Sequence, residues 1–512
     1  MTFRKLAAAA LLVPALALAS CSGGDGAAEG ASDPSADGDG ATLRIGTSGT
    51  LPSWASEDAH VGHTLFPYQA PYDSLIRRDE NGELQPMLAT SWEYDETRTA
   101  LTLELRDDVT FSDGAAFDAD AVKANLEHFQ QDALRQASQL AALDSVEVVD
   151  AATVVLHLTD PDPAFEFNLS QAAGLMASPD SVGTPEADTV PVGSGPYVMS
   201  ESETVAGTQV VFTAREDYWA PELQEFERVE FRILDETSAR LNALQSGQID
   251  VTILDATTID QAEGAGFEIV DDYQVDWHGL ILMDRDGDLN PALGDVNVRQ
   301  AINYAVDREA LVEQNERGHG TATAQPFGPE SGAYVEELDE RYPHDPEKAR
   351  ELLAEAGYAD GVTISVPLVP GWDAMHAALR QQLSEANITL ESVPAQMANI
   401  FGDIGQQKLE IFYFNFFQSE PWVNVQQLLA ENTLYNPFET ADPELTALIE
   451  ELQAAPDGDS IAQEINEYVV ENAWFVPLYR LDQVVAYDSD AIDVVKQPQQ
   501  AFPSMYNFTP AA

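Results

Sequence analysis

Across 512 residues the chain carries 88 Asp and Glu against 24 Lys and Arg, a formal net charge of −64, with 44% apolar residues. A field of that sign repels phosphate backbones and argues against a nucleic-acid partner. The apolar content at this length suffices for a core in two or three lobes, and with one cysteine in the chain that core is not stapled by disulfides.

That cysteine, Cys21, ends a segment with a basic start at Arg4 and Lys5 and an alanine-rich apolar stretch from Leu6 to Ala19. The pattern reads as a secretory signal over 1–20 rather than a retained membrane helix. Leu18-Ala19-Ser20-Cys21 resembles the bacterial lipobox, so Cys21 is expected to be lipidated after cleavage and to tether the protein outside the cytoplasm, with two acyl chains sufficient for stable anchoring. Residues 21–41, rich in Gly, Ser, Ala and Asp, then read as a flexible linker. No later window approaches the ~18 consecutive apolar residues of a membrane span. The acids are scattered rather than blocked, which suits a solvated surface in a saline or alkaline setting.

Thr42 to Gly46 predicts the first strand, followed by a Gly/Ser/Pro loop through Trp54 and a hydrophobic helix-like stretch. Leu101 to Leu105 alternates with period two and predicts a half-buried strand. Asp113-Gly114 signals a tight turn, Asp118 to Phe129 an amphipathic helix, and Val146 to Leu158 a strand region turning at Asp150-Ala151-Ala152. Strands are expected after Gly193-Ser194-Gly195-Pro196-Tyr197, at Gln209–Phe212 and at Val229–Ile233, then a helix from Ser238 closed by Gly247 and a strand at Ile249–Val251. Val298 to Val306 spaces its apolar residues for one buried helix face. Asp345-Pro346 supplies a cap and first turn, with Gly357 as the stop. Strand Val362–Val366, helix Ala374–Ala386 and strand Leu409–Phe414 follow as an α/β run.

Several segments in order carry a family likeness. They include Tyr72-Asp73-Ser74-Leu75, Phe111-Ser112-Asp113-Gly114, Val192-Gly193-Ser194-Gly195-Pro196-Tyr197, Asp217-Tyr218-Trp219, Gly247-Gln248-Ile249-Asp250, Val298-Arg299-Gln300-Ala301-Ile302-Asn303-Tyr304-Ala305 and Trp474-Phe475-Val476-Pro477. From about residue 42 to 512 the chain resembles family 5 of the solute-binding proteins of ABC transporters, the dipeptide, oligopeptide and nickel-binding group. The resemblance implies an α/β fold of periplasmic-binding-protein type 2, with two lobes, a hinge, and an extra subdomain on the larger lobe. The expected division is 42–68, 183–278 and 487–512 for lobe I, 69–182 for the extra subdomain and 279–486 for lobe II. A solute would lie between the lobes, which close over it by a hinge motion driven by the solute's preference for the closed state.

The resemblance also places one pocket wall along Phe412 to Trp422. Where peptide-binding members keep an aspartate for the free amine this chain has Phe417, and no arginine for a peptide carboxylate occurs between Val366 and Met375. Aromatic groups stand there instead, suited to sugar rings, aromatic compounds or alkylated cations. The expected solute contacts are Trp54, Trp277, Trp372, Asn415, Phe416, Phe417, Gln418 and Trp422, with Asn424 as a further hydrogen-bonding candidate and Trp277 and Trp372 on nearby loops. The phenylalanine run fits a core strand equally well, with Phe414 and Phe416 on one face and Asn415 and Phe417 on the other.

His60 and His63 are the only histidines close enough in sequence to share a metal, and they read as a loop coincidence. Asp284, Asp286 and Asp288 begin like a calcium loop, yet Leu289 replaces the required glycine and an acidic turn is expected. No cofactor and no resident metal are expected. The chain is therefore read as a monomeric, lipid-anchored receptor for a small peptide-like, sugar or aromatic/cationic solute, with ABC permease subunits and the membrane as partners. The alternatives are an extracellular carbohydrate-active hydrolase and a cell-surface interaction protein on the same scaffold. The sequence holds neither a Gly-x-Ser-x-Gly elbow nor a His-Glu-x-x-His pair to support catalysis.

Overall fold

A computed structural model describes residues 41–511 except 50, 52, 60, 61, 133–135 and 432. The signal segment, Cys21, the linker up to residue 40 and His60 lie outside the described residues. Among the described residues no helix is long and apolar enough to cross a membrane.

The backbone of the molecule is a mixed sheet of nine strands among the described residues. Its path runs Ile411–Phe417, Glu268–Leu282, Phe475–Tyr487, Val251–Leu254, Thr42–Thr47, Arg228–Ile233, Gln209–Ala214 and Tyr197–Met199, with Gly320–Ala322 paired at the side. Thr42–Thr47 lies parallel to both Arg228–Ile233 and Val251–Leu254. The helix Thr237–Gln245 makes the crossover between those two outer neighbours, as a parallel connection requires.

Two strands are unusually long, Glu268–Leu282 with 15 residues and Phe475–Tyr487 with 13. They pair antiparallel from Glu268↔Tyr487 to Ile281↔Phe475, so both pass from one half of the molecule into the other. Register shifts interrupt them between Val270 and Tyr273, between Tyr273 and Asp276, and between His278 and Gly279. Bulges of this kind bend and twist a ribbon locally, which suits a hinge.

A four-stranded antiparallel sheet, Ala89–Tyr94, Ala100–Leu105, Thr153–Leu158 and Leu143–Asp150, carries the helix Ala119–Asp132 over its own core. Thr153–Leu158 alternates half-buried and buried residues, the signature of a strand with one face in the core. In the other half, helices Val296–Tyr304, Pro346–Glu355 and Asp373–Glu385 enclose the parallel pair Val362–Leu368 and Ile388–Pro394.

Local signals in the sequence recur in the structure. The Asp345 carboxylate accepts from the Lys348 N–H at 2.8 Å and caps the helix that begins at Pro346. At Asp113-Gly114 the chain reverses with Gly114 at φ +89°, a conformation glycine adopts freely. Asp113 also accepts from the Ser178 hydroxyl, tying this turn to the rest of the subdomain. Asp284 accepts the N–H groups of Asp288, Leu289 and Asn290, so this motif is an acidic turn.

Candidate functional site

The large cavity, about 1450 Å³, opens beyond the carboxyl ends of the parallel strands Thr42–Thr47, Arg228–Ile233 and Val251–Leu254, with Thr47, Ile233 and Ile253 in its lining. Open α/β sheets bind ligands at such a crevice, where side chains and chain ends converge without filling the space. Trp54, Phe66, Tyr68 and Phe231 supply aromatic wall. Trp54 is 8% exposed, and its ring lies 5.1 Å from Phe212 and 5.7 Å from Tyr68. Two buried tyrosines hold this loop: Tyr68 donates to the Ser53 carbonyl at 2.7 Å and Tyr72 to the Trp54 carbonyl at 2.9 Å. Burial, with Glu57 nearby, keeps both phenols well above the usual tyrosine range, so they remain donors.

The charge in the lining is one-sided. Glu57, Asp58, Asp188 and Glu201 face two basic side chains, Arg240 and His63, among the described residues. Both of these are already engaged. Arg240 donates to the carbonyls of Ile253, Leu234 and Asp235 and to the Thr237 hydroxyl, all within 2.8–3.0 Å. His63 Nε2 stands 3.1 Å from Asp276 Oδ1, and Asp276 is 2% exposed. Burial opposes charge on both partners, but their mutual attraction outweighs it, holding His63 above and Asp276 below their ordinary ranges. Each partner therefore favours the charged form of the other. Asp188 accepts from the Ser53 hydroxyl at 3.1 Å, and His128 pairs with Glu57 at 2.8 Å.

The expected contact residues fall in three places. Trp54 lines the cavity. Trp277, far from a loop, is fully buried in the strand Glu268–Leu282, packed on Phe416 at 4.9 Å and Phe475 at 5.8 Å. Phe416 and Trp422 belong to the same core, Trp422 at 5% exposure in the helix Pro421–Leu428. Strand alternation turns Phe416 inward, and the helix turns Trp422 onto that layer, so these three rings stabilise the fold rather than wall the cavity. Trp372 ends a loop before the helix Asp373–Glu385 and packs edge-on against Tyr413 at 5.1 Å.

Asn415 and Phe417 lie on the other face of the strand, Asn415 exposed and Phe417 half-buried with its ring 5.3 Å from that of His63. Gln418 is buried against Gly328, its backbone N–H donating to the Val275 carbonyl. Asn424 is spent on the chain itself, donating to the Phe417 carbonyl at 3.1 Å and accepting from the Ser419 N–H at 3.0 Å. The strand stops at Phe417, and Asn424 satisfies the groups its end leaves open. The acids, Phe66, Tyr68, Phe231 and Arg240 carry no motif that sequence reading can use; separate loops and strand ends bring them together.

Two halves sharing one bent sheet, with a wide cavity at its parallel strand ends, define the two-lobed periplasmic-binding-protein type 2 architecture. Residues 83–425 match the bacterial extracellular solute-binding proteins, family 5, middle region, and the chain belongs to that family. The glutathione-binding protein GsiB of Pectobacterium atrosepticum is 29% identical over 388 residues, 70% of this chain and 72% of that protein. Two solved structures share the fold. NikA from Brucella suis, in complex with Fe(III)-EDTA, superposes with a TM-score of 0.78 at 20% identity over 92% of this chain and 99% of that one. DppA from Helicobacter pylori, in complex with the peptide STSA, gives 0.77 at 19% identity over 92% and 98%. The chain is accordingly an extracytoplasmic solute-binding receptor of the ABC-importer type and not an enzyme.

Proposed function

We propose that this receptor is anchored through Cys21, works as a monomer, and captures an organic solute with an apolar body and a positive charge for delivery to an ABC permease. The observation carrying the solute class is the unbalanced lining: four carboxylates against two basic groups, one paired with Asp276 and the other held by backbone carbonyls. A free peptide or glutathione brings carboxylates to a lining in which, among the described residues, acids outnumber basic groups four to two. A cation instead finds an excess of acids and aromatic faces, worth on the order of 0.5–2 kcal/mol per cation–π contact. The net charge of −64 adds a long-range field of the right sign. Trp54 stacks against the apolar body, with Trp372, Asn415 and Phe417 as the contribution of the facing lobe. The lobe and subdomain boundaries read from the sequence, and the anchor read from its lipobox-like segment, belong to the same proposal.

The test is a thermal-unfolding screen of the purified protein with alkylated ammonium compounds, neutral disaccharides, free tripeptides and glutathione. A true solute at a hundredfold excess over its Kd stabilises by about 2.7 kcal/mol. The expected result is a shift with the ammonium compounds that weakens as salt is raised. A shift with glutathione or an acidic peptide, and none with a cation, would overturn the proposed class.

A further inference from the structure

Across the front of the two lobes, Phe417 and Gly62 meet more closely than any other residue type at position 62 would allow. Gly62 lies at φ +67°, and a Cβ built on it would stand 2.1 Å from Phe417 Cζ and 2.2 Å from Cε2, far inside van der Waals contact. The backbones of both partners are held. The Gly62 carbonyl accepts from the Ala501 N–H at 3.1 Å. Phe417 is paired with Asp276 in the sheet, its carbonyl accepts from Asn424, and the next residue donates its N–H to Val275. The His63 ring, fixed by Asp276, borders the phenylalanine on one side.

A second contact joins the same two parts of the chain. Glu330 holds Lys496 at 2.9 Å and accepts from the Gln499 N–H at 2.7 Å, a few residues from Ala501. That polar contact can follow small shifts, whereas the ring lies directly against the bare Cα.

We propose that the fit of Phe417 onto Gly62 is a steric gate for lobe closure: the missing side chain at 62 is what lets the two lobes meet, and the ring seals the cavity beside His63. The gate depends on the two-lobed fold and not on which solute is bound, so it can fail while the solute proposal survives, and the reverse. A methyl group at position 62 demands a displacement of more than about 1 Å to restore ordinary contact. With both backbones pinned, that displacement is delivered by the lobes moving apart.

The experiment uses the full chain with Cys21→Ser, spin labels at the exposed positions Val149→Cys and Val393→Cys, and pulsed dipolar distance measurement without added solute. Gly62→Ala is expected to move the main distance peak away from the wild-type value by more than the peak width. Phe417→Trp should do the same from the other side of the contact. Gly62→Ala combined with Phe417→Ala should return the peak to the wild-type position, which separates the ring contact from backbone strain at a positive φ. An unchanged peak in folded Gly62→Ala, or a double variant that stays displaced, would overturn the gate. If Gly62→Ala does not fold, Phe417→Trp decides, and an unchanged peak there overturns it equally.

Discussion

Asp162 offers a sharp test of the energetics at the junction between the small antiparallel subdomain and the helix Pro421–Leu428. It is 2% exposed; one oxygen accepts from the Ala164 N–H at 2.9 Å, and the other points towards the Trp422 indole without a well-formed hydrogen bond. Burial pushes its carboxyl up to about 6, and the Ala164 and Trp422 donors pull it only part of the way back. The rise above the ordinary 3.8, at about 1.4 kcal/mol per unit, corresponds to about 3 kcal/mol. The sign follows from proton binding. The folded state holds this proton up to about pH 6 and the unfolded state only to about pH 4, so the stabilisation is complete below the lower value. It is lost as pH rises through the upper one. Urea unfolding of the wild type and of Asp162→Asn, each across about pH 4 to 8, isolates this group because all other acids cancel in the difference. The wild type should lose about 3 kcal/mol relative to the variant between about pH 4 and pH 7. A difference that stays flat over that range would refute the claim that burial keeps this carboxyl protonated.

Three further outcomes are expected. Trp422→Ala should cost about 3–5 kcal/mol in urea unfolding because it empties a core site, and Phe417→Ala, half-buried, less than half of that; equal costs would place Phe417 in the core as well. Asp339→Ala leaves the buried Arg480 guanidinium without its bidentate partner at 2.8 and 2.6 Å, a loss of about 3–5 kcal/mol readable as a lowered unfolding midpoint. His63→Gln should destabilise more at about pH 5.5 than at about pH 8.5. The raised His63 group stabilises fully below its unfolded value of 6.5 and loses that contribution as pH climbs through the folded one. A penalty that grows with pH would contradict the ion pair with Asp276.

Period-two alternation, capping residues and turn dipeptides report on contacts within a few residues, and for that reason they were legible. Leu101 to Leu105, the Asp345-Pro346 start and the Asp113-Gly114 reversal all took the form their local chemistry requires. The ordered run of family segments carried the likeness to two-lobed receptors, and the bent two-strand ribbon shared by both halves realises that architecture. Alternation also sorted Phe414 and Phe416 from Asn415 and Phe417, but it could not say which face meets a cavity and which meets a core. That choice depends on what packs against the strand from elsewhere: Trp277 and Phe475 cover one side, Gly62 and His63 the other. The cavity's acids come from residues 57–58, 188 and 201, Arg240 from a separate helix, and Phe417 from a strand more than three hundred residues from Gly62. Only the folded chain brings them together, because burial, charge pairing and steric fit are properties of neighbours in space.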